Sequence, residues 1–460
     1  MAEPNVPSIS APIRTALDAI RLSRRVPGMA VGIVDGGELS AFTGFGVLNT
    51  ETKERPTADS IFRVASITKT ITGTALLQLR DAGKLDLDDP IRRHLPEFNA
   101  VRIRRGSLDQ VTLRRLLSHH AGLISESPHN YWDSYEFPSI AEIIASLGNA
   151  EIVLEADTAF KYSNLAFALL GEVVARITRC TYTQYVQANI LTPLGMTSSS
   201  FTLDPASQSR LATGYEPNPD TDTLRQAPYP DLHGLTAAGQ LYSCVRDLAR
   251  WIGFQLQSVP VQTSEAQVLA PASLDEMHRP YDLNADWSAG YGLAWIPVRR
   301  GDVVYHGHTG TLPGYRSAIY FNKPSKLGAV VLSNLSWNDG AIQAALKVLE
   351  LSKAHRPTRT DLNQQPPASV SSIVGVYARR GVNELRLVYR DNALHLEAYD
   401  PNYESLFTEC RLDPTDDPAI FEVVGGRGAG EFARFATNQG GDAIRFTLGG
   451  AVYKQIVSIA

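Results

Sequence analysis

Apolar and polar residues alternate along the chain with both helical and strand periods. Residues 9–25 are predicted to form an amphipathic helix, because apolar side chains recur there at helical spacing: Ile13, Leu17, Ile20 and Leu22. The apolar run 29–34 is followed by the turn signal Asp35-Gly36-Gly37 and a second β-prone run. This pattern predicts a β-hairpin after the first helix.

The patterns further along predict more helices and then a group of strands. A helix that carries Ser66 and Lys69 is expected to end near Gly83, and others are expected over 111–118, 165–178, 245–257 and 339–353. Strands are expected over 290–297, 302–306, 315–321 and 328–334. Residues 202–235 are rich in Pro, Asp, Thr and Gly, which predicts a long surface excursion.

The last hundred residues follow a different pattern. The polar, Pro-containing stretch 355–368 predicts a linker between a first domain, 1–354, and a second domain, 369–460. Short alternating strands with regular turn signals, among them a hairpin at Asp391-Asn392, predict a small antiparallel barrel or sandwich. No catalytic constellation stands out in this second domain, and the chain shows no internal repeats.

Composition and charge exclude several classes of function. The 460 residues are 43% hydrophobic and 20% charged, which is typical of a soluble globular chain of two or three domains. The net charge of -5 and the lack of a long basic stretch argue against a nucleic-acid partner. Three cysteines that lie far apart, Cys180, Cys244 and Cys410, favour buried thiols over a disulfide framework or a zinc site.

The N-terminal residues have no basic segment followed by an apolar core, so they do not resemble a signal peptide. No run approaches the roughly 20 apolar residues that a membrane span needs. We therefore expect a cytoplasmic protein with no membrane partner.

Ser66 and Lys69 form the one Ser-x-x-Lys motif in the chain. On a helix, positions i and i+3 share a face, so the two side chains are expected to be neighbours. A lysine desolvated in a cleft can take the proton of a serine hydroxyl, and a backbone N–H at the helix start can stabilise an oxyanion. The alternative is that Ser66 caps the helix and Lys69 is solvated.

Lys161-Tyr162-Ser163-Asn164 directly precedes an apolar helix. A tyrosine at such a junction can carry protons if nearby cations lower its pKa. The alternative is a turn with a packed tyrosine and a capping serine or asparagine. A second Tyr-x-Asn, Tyr320-Phe321-Asn322, lies in a predicted strand and shows that the triplet is not specific.

A glycine-rich run from His306 to Tyr315 contains His308-Thr309-Gly310-Thr311. Glycines allow a ligand to approach the backbone closely, and Thr311 then offers a second oxyanion donor. His120-Ala121-Gly122 repeats the His-x-Gly pattern elsewhere. His306 and His308 have no third ligand at metal-binding spacing, so we predict no metal and no other cofactor.

The order of these motifs resembles the serine β-lactamase-like superfamily. The similarity is strongest to class C β-lactamases, D-Ala-D-Ala carboxypeptidases, and the esterases and D-aminopeptidases that share their fold. It spans roughly residues 10–350 and includes VPGMAVGIVDGG, IFRVASITKTITGTALLQL, VTLRRLLSHHAGL, KYSNLAFALLGEVV and HTGTLPGY. It implies an α/β (α+β) domain with an antiparallel sheet flanked by helices and an all-helical region. The barrel that follows resembles the lipocalin-like domain appended to some family peptidases.

The resemblance implies a role for each motif residue. Ser66 would be the acylated nucleophile, Lys69 its general base, and Tyr162 the group that passes the proton to the leaving group and activates water. The remaining positions would contact substrate or form the oxyanion hole: Asn164, His308, Thr309, Gly310 and Thr311. The partner implied is a small ester, amide or short peptide, and the protein itself could form a homo-oligomer.

The third motif departs from that of class C enzymes. Theirs begins with a lysine that recognises the β-lactam carboxylate, whereas this chain has His308, which is charged only part of the time near neutral pH. This difference moves the expectation from penicillins to esters, amides or small peptides. We hypothesise that Arg316 contacts the substrate and supplies the missing charge.

We therefore expect a serine hydrolase that works through an acyl-enzyme on Ser66. The alternatives are a β-lactamase or D-Ala-D-Ala carboxypeptidase, an acyltransferase, and an inactive relative that binds ligands. A Ser-His-Asp hydrolase is disfavoured because the chain has no Gly-x-Ser-x-Gly elbow.

Overall fold

The computed structural model describes residues 6–218, 220–221, 223–257, 267–336, 339–354, 366–379, 382–390, 392–398, 410–425, 429–438, 443–448 and 451–458. The chain divides into two units, residues 1–355 and 356–460. Most of the predicted linker 355–368 lies outside the described residues, as does Asp391 of the predicted hairpin.

The helices of the described residues are α1 Ala11–Ser23, α2 Thr68–Asp81, α3 Leu113–Leu117, α4 Tyr131–Ser134, α5 Ile140–Ala145, α6 Asn164–Thr178, α7 Tyr182–Val186, α8 Pro205–Gln208, α9 Thr236–Gly239, α10 Val245–Leu256, α11 Pro271–His278, α12 Gly340–Ala354 and α13 Ala368–Ser371. The strands of the first unit are β1 Gly28–Asp35, β2 Glu38–Gly46, β3 Phe62–Arg63, β4 Arg102–Ile103, β5 Glu151–Ile152, β6 Tyr215–Pro217, β7 Leu224–Gln226, β8 Tyr242–Ser243, β9 Asp282–Leu283, β10 Gly290–Tyr291, β11 Ile296–Arg300, β12 Val303–Leu312, β13 Tyr315–Asn322 and β14 Leu327–Ser333. Those of the second are β15 Gly375–Arg379, β16 Val382–Arg390, β17 Ala393–Ala398, β18 Cys410–Pro414, β19 Ile420–Val424, β20 Phe432–Thr437, β21 Ala443–Leu448 and β22 Ala451–Ser458.

An antiparallel sheet joins the first hairpin to the late strands of the first unit. Its order across the described residues is β11-β12-β13-β14-β1-β2, so β1 lies between its hairpin partner β2 and the distant β14. The register pairs Met29 with Ser333 and Gly28 with Gly46. The predicted hairpin and the predicted antiparallel sheet are confirmed.

Helices cover both faces of this sheet. Helices α1 and α12 pack on one face, where Leu17 and Val348 join a buried cluster with Val31. Helix α10 packs on the other face and leads into a helical region that includes α2, α6 and α9. The N-termini of α2 and α6 in this region carry the first two sequence motifs.

Eight strands of the described second unit, β15 to β22, close into an antiparallel barrel. Its interior is filled by buried side chains such as Tyr377, Leu387, Phe421 and Phe446. Of the two predicted alternatives, the barrel is therefore correct and the sandwich is wrong. No described helix of either unit has the length and hydropathy that crossing a membrane requires.

Some predicted details are wrong. Leu22 is 60% exposed, because α1 contacts the sheet mainly through Ile13 and Leu17. The stretch 202–235 is not only a surface excursion, since Tyr215 is 3% exposed and its hydroxyl accepts a hydrogen bond from the Thr50 backbone at 2.8 Å. Ser66 lies in a 3₁₀ turn, Ala65–Ile67, just before α2 rather than inside the helix.

Candidate active site

The turn that carries Ser66 has an unusual backbone. Ala65 has a φ of 50°, in the left-handed region that residues with a Cβ seldom adopt, and it is fully buried. The turn leads directly into α2, so Ser66 stands at the N-terminal end of a helix with its side chain partly exposed. A strained residue held by tight packing next to a polar side chain is a feature of functional sites.

Strand β12 lies directly against this turn. A Cβ at Gly310 would be 2.1 Å from the Val64 carbonyl oxygen and 2.9 Å from the Cβ of Ala65, so only glycine fits there. On the neighbouring strand, Ser317 donates a hydrogen bond to the same Val64 oxygen at 2.8 Å. The third motif is therefore packed onto the first.

Lys69 reaches back from the first turn of α2 to the Ser66 hydroxyl. Its Nζ is 3.1 Å from Ser66 Oγ, 2.8 Å from Asn164 Oδ1 and 2.7 Å from the Ala238 carbonyl oxygen. These three acceptors match the three donors of an ammonium group. Lys69 is fully buried, so the alternative of a solvated lysine is wrong.

The surroundings of Lys69 favour the neutral amine. Burial lowers the pKa of Lys69 from 10.5 to about 7, and the nearby Glu126 carboxylate opposes this shift. In the neutral form the amine has a lone pair that can accept the proton of Ser66, while its remaining hydrogens still bond Asn164 and Ala238.

Tyr162 approaches the same hydroxyl from the other side. Its Oη donates to Ser66 Oγ at 2.9 Å, and Lys69 Nζ is 4.9 Å from the centre of its ring. Burial raises the pKa of Tyr162 above its ordinary value, the hydrogen bond to Ser66 opposes this, and Glu126 adds to it. The condition that nearby cations lower the pKa of Tyr162 is therefore not met, and the direction of the shift favours the neutral hydroxyl. Ser163 caps α6 as the alternative interpretation proposed, accepting from Ala166 N at 3.0 Å.

Asn164 connects Lys69 to the half-buried acid Glu126. Its Oδ1 accepts from Lys69, and its Nδ2 donates to Glu126 Oε1 at 2.7 Å. The second oxygen of Glu126 accepts a hydrogen bond from the Tyr131 hydroxyl. These contacts fix the amide so that its oxygen faces the lysine in either charge state.

His308 is held in a neutral form. Its Nδ1 is 2.7 Å from the Thr309 carbonyl oxygen and must donate, which leaves Nε2 to accept from Tyr291 Oη at 2.9 Å. Burial, helped by the charge of Lys69, lowers the pKa of His308 to about 3. The expectation that His308 is partly charged near neutral pH is therefore wrong.

The sequence motifs meet in one cavity of about 590 Å³. Its lining includes six of the predicted site residues: Ser66, Tyr162, Asn164, His308, Thr309 and Thr311. Lys69 lies behind Ser66, and Gly310 serves the close approach of β12 rather than the cavity wall. Arg316 does not line this cavity but a neighbouring one of about 880 Å³, and Thr311 lines both.

Comparison with known families agrees with this arrangement. The family model described as Beta-lactamase matches residues 13–351, about three quarters of the chain. The chain belongs to the β-lactamase family.

Curated relatives in the family match this chain at moderate identity. Beta-lactamase-like protein 2 of Dictyostelium discoideum is 31% identical over 300 residues, which is 64% of this chain and 53% of that protein. Protein flp of Staphylococcus aureus (strain MRSA252) is 27% identical over 311 residues, 68% of this chain and 60% of that protein. The match thus spans between half and three fifths of the length of these relatives.

Solved structures share the fold. An octameric penicillin-binding protein homologue from Pyrococcus abyssi has a TM-score of 0.64 at 22% identity, covering 96% of this chain and 99% of that one. A class C β-lactamase from Rhodobacter sphaeroides has a TM-score of 0.62 at 20% identity and covers 75% of this chain and 100% of that one. A D-stereospecific amidohydrolase from Streptomyces sp. has a TM-score of 0.60 at 24% identity and covers 74% of this chain and 97% of that one.

Several residues around the site of this β-lactamase-family chain were not found from its sequence. Glu126 has no motif that marks it and comes to Asn164 only through folding. His119 clamps the Tyr162 segment: its carbonyl accepts from Lys161 N at 2.8 Å, its Nδ1 accepts from Ser163 N at 3.1 Å, and its ring lies 4.3 Å from that of Tyr162. The one signal for His119 is its place in the run Ser118-His119-His120, within a segment that carried the family resemblance.

The second copies of the Tyr-x-Asn and His-x-Gly triplets lie in different places relative to the Ser66 cavity. Tyr320-Phe321-Asn322 lies in β13 with buried side chains and does not line the Ser66 cavity. His120, the first residue of the second His-x-Gly triplet, does line the Ser66 cavity. His306 packs against His278 and Phe321, and no group of three or more metal-ligating side chains occurs among the described residues.

Proposed function

We propose that this protein is a serine hydrolase that cleaves ester or amide bonds of small molecules or short peptides through an acyl-enzyme on Ser66. One observation carries the proposal: Ser66 Oγ lies 3.1 Å from Lys69 Nζ and 2.9 Å from Tyr162 Oη. A serine between a lysine whose pKa is lowered to about 7 and a neutral tyrosine has both a proton acceptor and a proton donor.

Acylation follows from these positions. Neutral Lys69 takes the proton as Ser66 Oγ attacks the carbonyl carbon, and the carbonyl oxygen becomes an oxyanion. The backbone N–H groups of Ser66 and Thr311 are the proposed donors to that oxyanion. Tyr162 then gives its proton to the leaving alcohol or amine, and Lys69 restores the tyrosine.

Deacylation reverses these roles with water as the nucleophile. A water that enters the cavity gives a proton to neutral Lys69, directly or through the Tyr162 hydroxyl, and attacks the acyl carbon. The tetrahedral intermediate then collapses, the bond from the acyl carbon to Ser66 Oγ breaks, and Oγ takes the proton back from Lys69. Acyl transfer differs only in that an alcohol or amine replaces water. Added alcohols or amines in the assay distinguish the two, since a transferase forms a new ester or amide.

Penicillins are the less favoured substrates. The described lining of the Ser66 cavity includes no lysine or arginine, and His308 is neutral. A β-lactam carboxylate would therefore lack a cation beside the third motif. We expect nitrocefin to be hydrolysed much more slowly than a neutral ester.

The decisive experiment is a substrate panel run on the wild type and Ser66→Ala. It contains p-nitrophenyl esters, D-amino-acid p-nitroanilides and nitrocefin. Hydrolysis of esters or anilides that falls by about 10³-fold or more in Ser66→Ala supports the proposal. Hydrolysis that survives the substitution contradicts it.

Covalent labelling separates an enzyme from a ligand-binding relative. A fluorophosphonate is expected to add to Ser66, as detected by mass spectrometry of the digested protein. No adduct on Ser66 in the folded wild type would favour the inactive binder.

The second domain is proposed to be lipocalin-like and to support assembly or stability, with catalysis in residues 1–354. The fold match to an octameric homologue motivates a test of self-association. Size-exclusion chromatography with light scattering measures the mass of the full chain, and a mass equal to 50.2 kDa would contradict assembly.

A further inference from the structure

Asp282 brings a carboxylate to the wall of the Ser66 cavity. It lies in β9, which pairs with β10 so that Leu283 faces Gly290 and Asp282 faces Tyr291. The side chain of Asp282 is 52% exposed, and both it and Tyr291 line the cavity. The mechanism proposed above gives this carboxylate no role.

His120 lies against one oxygen of that carboxylate. Its Nδ1 donates to the Ser118 carbonyl oxygen at 2.7 Å, and its Nε2 lies 3.2 Å from Asp282 Oδ2. Because a carboxylate has no hydrogen to donate, this contact is a hydrogen bond only when both ring nitrogens of His120 carry hydrogen. The other oxygen, Oδ1, has no hydrogen bond to a residue in the described part of the chain.

Aromatic faces lie between this carboxylate and Ser66. Phe160 is 48% exposed and lines the cavity beside Tyr291, with 5.3 Å between the ring centres. The centre of the Phe160 ring is 6.0 Å from that of His120 and 6.5 Å from that of Tyr162. The wall thus runs from Ser66 through Tyr162 and the aromatic rings to the acid.

The side chain beside Asp282 in this wall that can carry a positive charge is His120. Lysine and arginine are absent from the described residues that line the cavity, and Asp282 is the acidic one among them. Arg316 lines the neighbouring cavity, and Lys69 is buried behind Ser66 with its three hydrogen bonds satisfied. Phe160 presents an exposed ring and Tyr291 the edge of a buried one, and a carboxylate next to an aromatic ring is a combination that binds organic cations.

We propose that the Ser66 cavity binds substrates that carry an ammonium group, which Asp282 holds against the rings of Phe160 and Tyr291. This inference rests on the proposed hydrolase function and names its substrate class: an ester or amide with a positive charge a few bonds from the scissile carbonyl.

The test compares esters that differ in charge and not in shape. One pair has a butanoyl chain tipped with trimethylammonium or with its neutral tert-butyl isostere, both as p-nitrophenyl esters. The second pair puts the same two groups on the alcohol, as choline butyrate and its tert-butyl isostere. We expect kcat/KM to favour the cation by about tenfold in at least one pair, with the difference mainly in KM.

Matched variants assign the effect to Asp282. Asp282→Asn removes the charge and keeps the shape, so the ratio of kcat/KM for the cationic ester to kcat/KM for its neutral isostere should fall to about one. Asp286→Asn removes an acid from the same hairpin but outside the cavity lining, and it should keep the preference.

Two outcomes overturn the inference and remain distinct from failure of the hydrolase proposal. Ser66-dependent hydrolysis with no cation preference in either pair overturns the inference alone, as does a preference that Asp282→Asn leaves intact. If neither ester is hydrolysed, titration calorimetry measures how tightly the Ser66→Ala protein binds the corresponding cationic and neutral anilides. Tighter binding of the cationic anilide that Asp282→Asn abolishes supports the inference, and equal binding overturns it.

Discussion

At the residue scale, the site is a serine hydroxyl held between two groups of opposite function. Burial lowers the pKa of Lys69 to about 7, so its neutral amine is populated near neutral pH and can accept a proton, while Tyr162 keeps its proton because burial raises its pKa. Glu126 reaches this pair only through Asn164, so its charge is one hydrogen-bonded step from the lysine. The electrostatics of the site therefore depend on burial more than on ion pairing.

The activity is expected to rise with pH through the titration of Lys69. Because the pKa of Lys69 is about 7, the proton acceptor is protonated and inactive below that pH and neutral above it. The measurement is kcat/KM for a neutral ester from pH 5 to 9. Lys69→Arg stays charged and should lower kcat about 10²- to 10⁴-fold and remove the rise near pH 7.

Lys161→Arg is the matched control for that profile. Lys161 belongs to the second motif but contacts Ser125 Oγ, at 3.0 Å, rather than Ser66. Its replacement should leave the pH dependence unchanged. A profile that is flat through pH 7 in the wild type would contradict the role given to Lys69.

Arg316 is expected to act on substrates long enough to reach the second cavity. Its Nε is buried and has no hydrogen-bond partner in the described part of the chain, whereas Arg24 in the same cavity pairs with Asp339 at 3.0 Å. Arg316→Ala should lower kcat/KM about tenfold for an ester with a distal carboxylate and leave its neutral analogue unchanged. Arg24→Ala should have a smaller effect, and equal losses in both variants would remove the special role of Arg316.

At the element scale, the site depends on the contact between a strand and a turn. Strand β12 can lie against the Ser66 turn only because position 310 has no Cβ, and Ser317 on β13 fastens the same turn. The turn that carries Ser66 is thus positioned by two elements that are about 250 residues away in sequence.

Gly310→Ala should separate β12 from the turn. The added Cβ would be 2.1 Å from the Val64 oxygen, so the backbone must shift, at a cost of about 1–3 kcal/mol of unfolding free energy. A shift near 1 Å at the nucleophile should lower kcat about 10²-fold. Thermal unfolding and ester hydrolysis measure the two effects.

Gly148→Ala is the control for Gly310→Ala. The nearest atom to its added Cβ would be the Ala100 oxygen at 3.9 Å, which is ordinary contact. Its stability and activity should match the wild type. A Gly310→Ala protein with wild-type kcat would show that the contact does not position Ser66.

At the scale of the whole molecule, each unit has its own core. The first unit buries clusters on both faces of its sheet, and the second buries one inside the barrel. Separate cores allow separate cooperative unfolding. Calorimetry of the full chain should therefore resolve two transitions.

Core substitutions assign those transitions. Phe446→Ala in the barrel should cost about 3–5 kcal/mol and lower one transition only, and Leu349→Ala in α12 should cost about 2–5 kcal/mol and lower the other. When the protein is heated, hydrolysis that depends on Ser66 should be lost at the transition that Leu349→Ala lowers. A single transition that both variants lower equally would mean that the units unfold together.

Short-range patterns were enough to predict most elements and the three motifs. The hairpin at 28–46, α6, α10, α12 and the strands of the barrel follow from periodicity and turn residues, which act between near neighbours. Ser66 and Lys69 are also local, because one helical turn separates them. Their sequence order with Tyr162 and His308 carried the family resemblance.

Charge states and cavity walls needed the tertiary structure. His120 meets Asp282 across 162 positions and Asn164 meets Glu126 across 38, and no local pattern encodes such pairs. The pKa of Lys69 and the neutral state of His308 come from burial, which depends on all the elements packed around them. The sequence by itself determined that Ser66, Lys69 and Tyr162 belong to one kind of site, because motif order and spacing are properties of the chain. Only the packed fold decided which side chains line the cavity and with what charge, because these depend on contacts between distant segments.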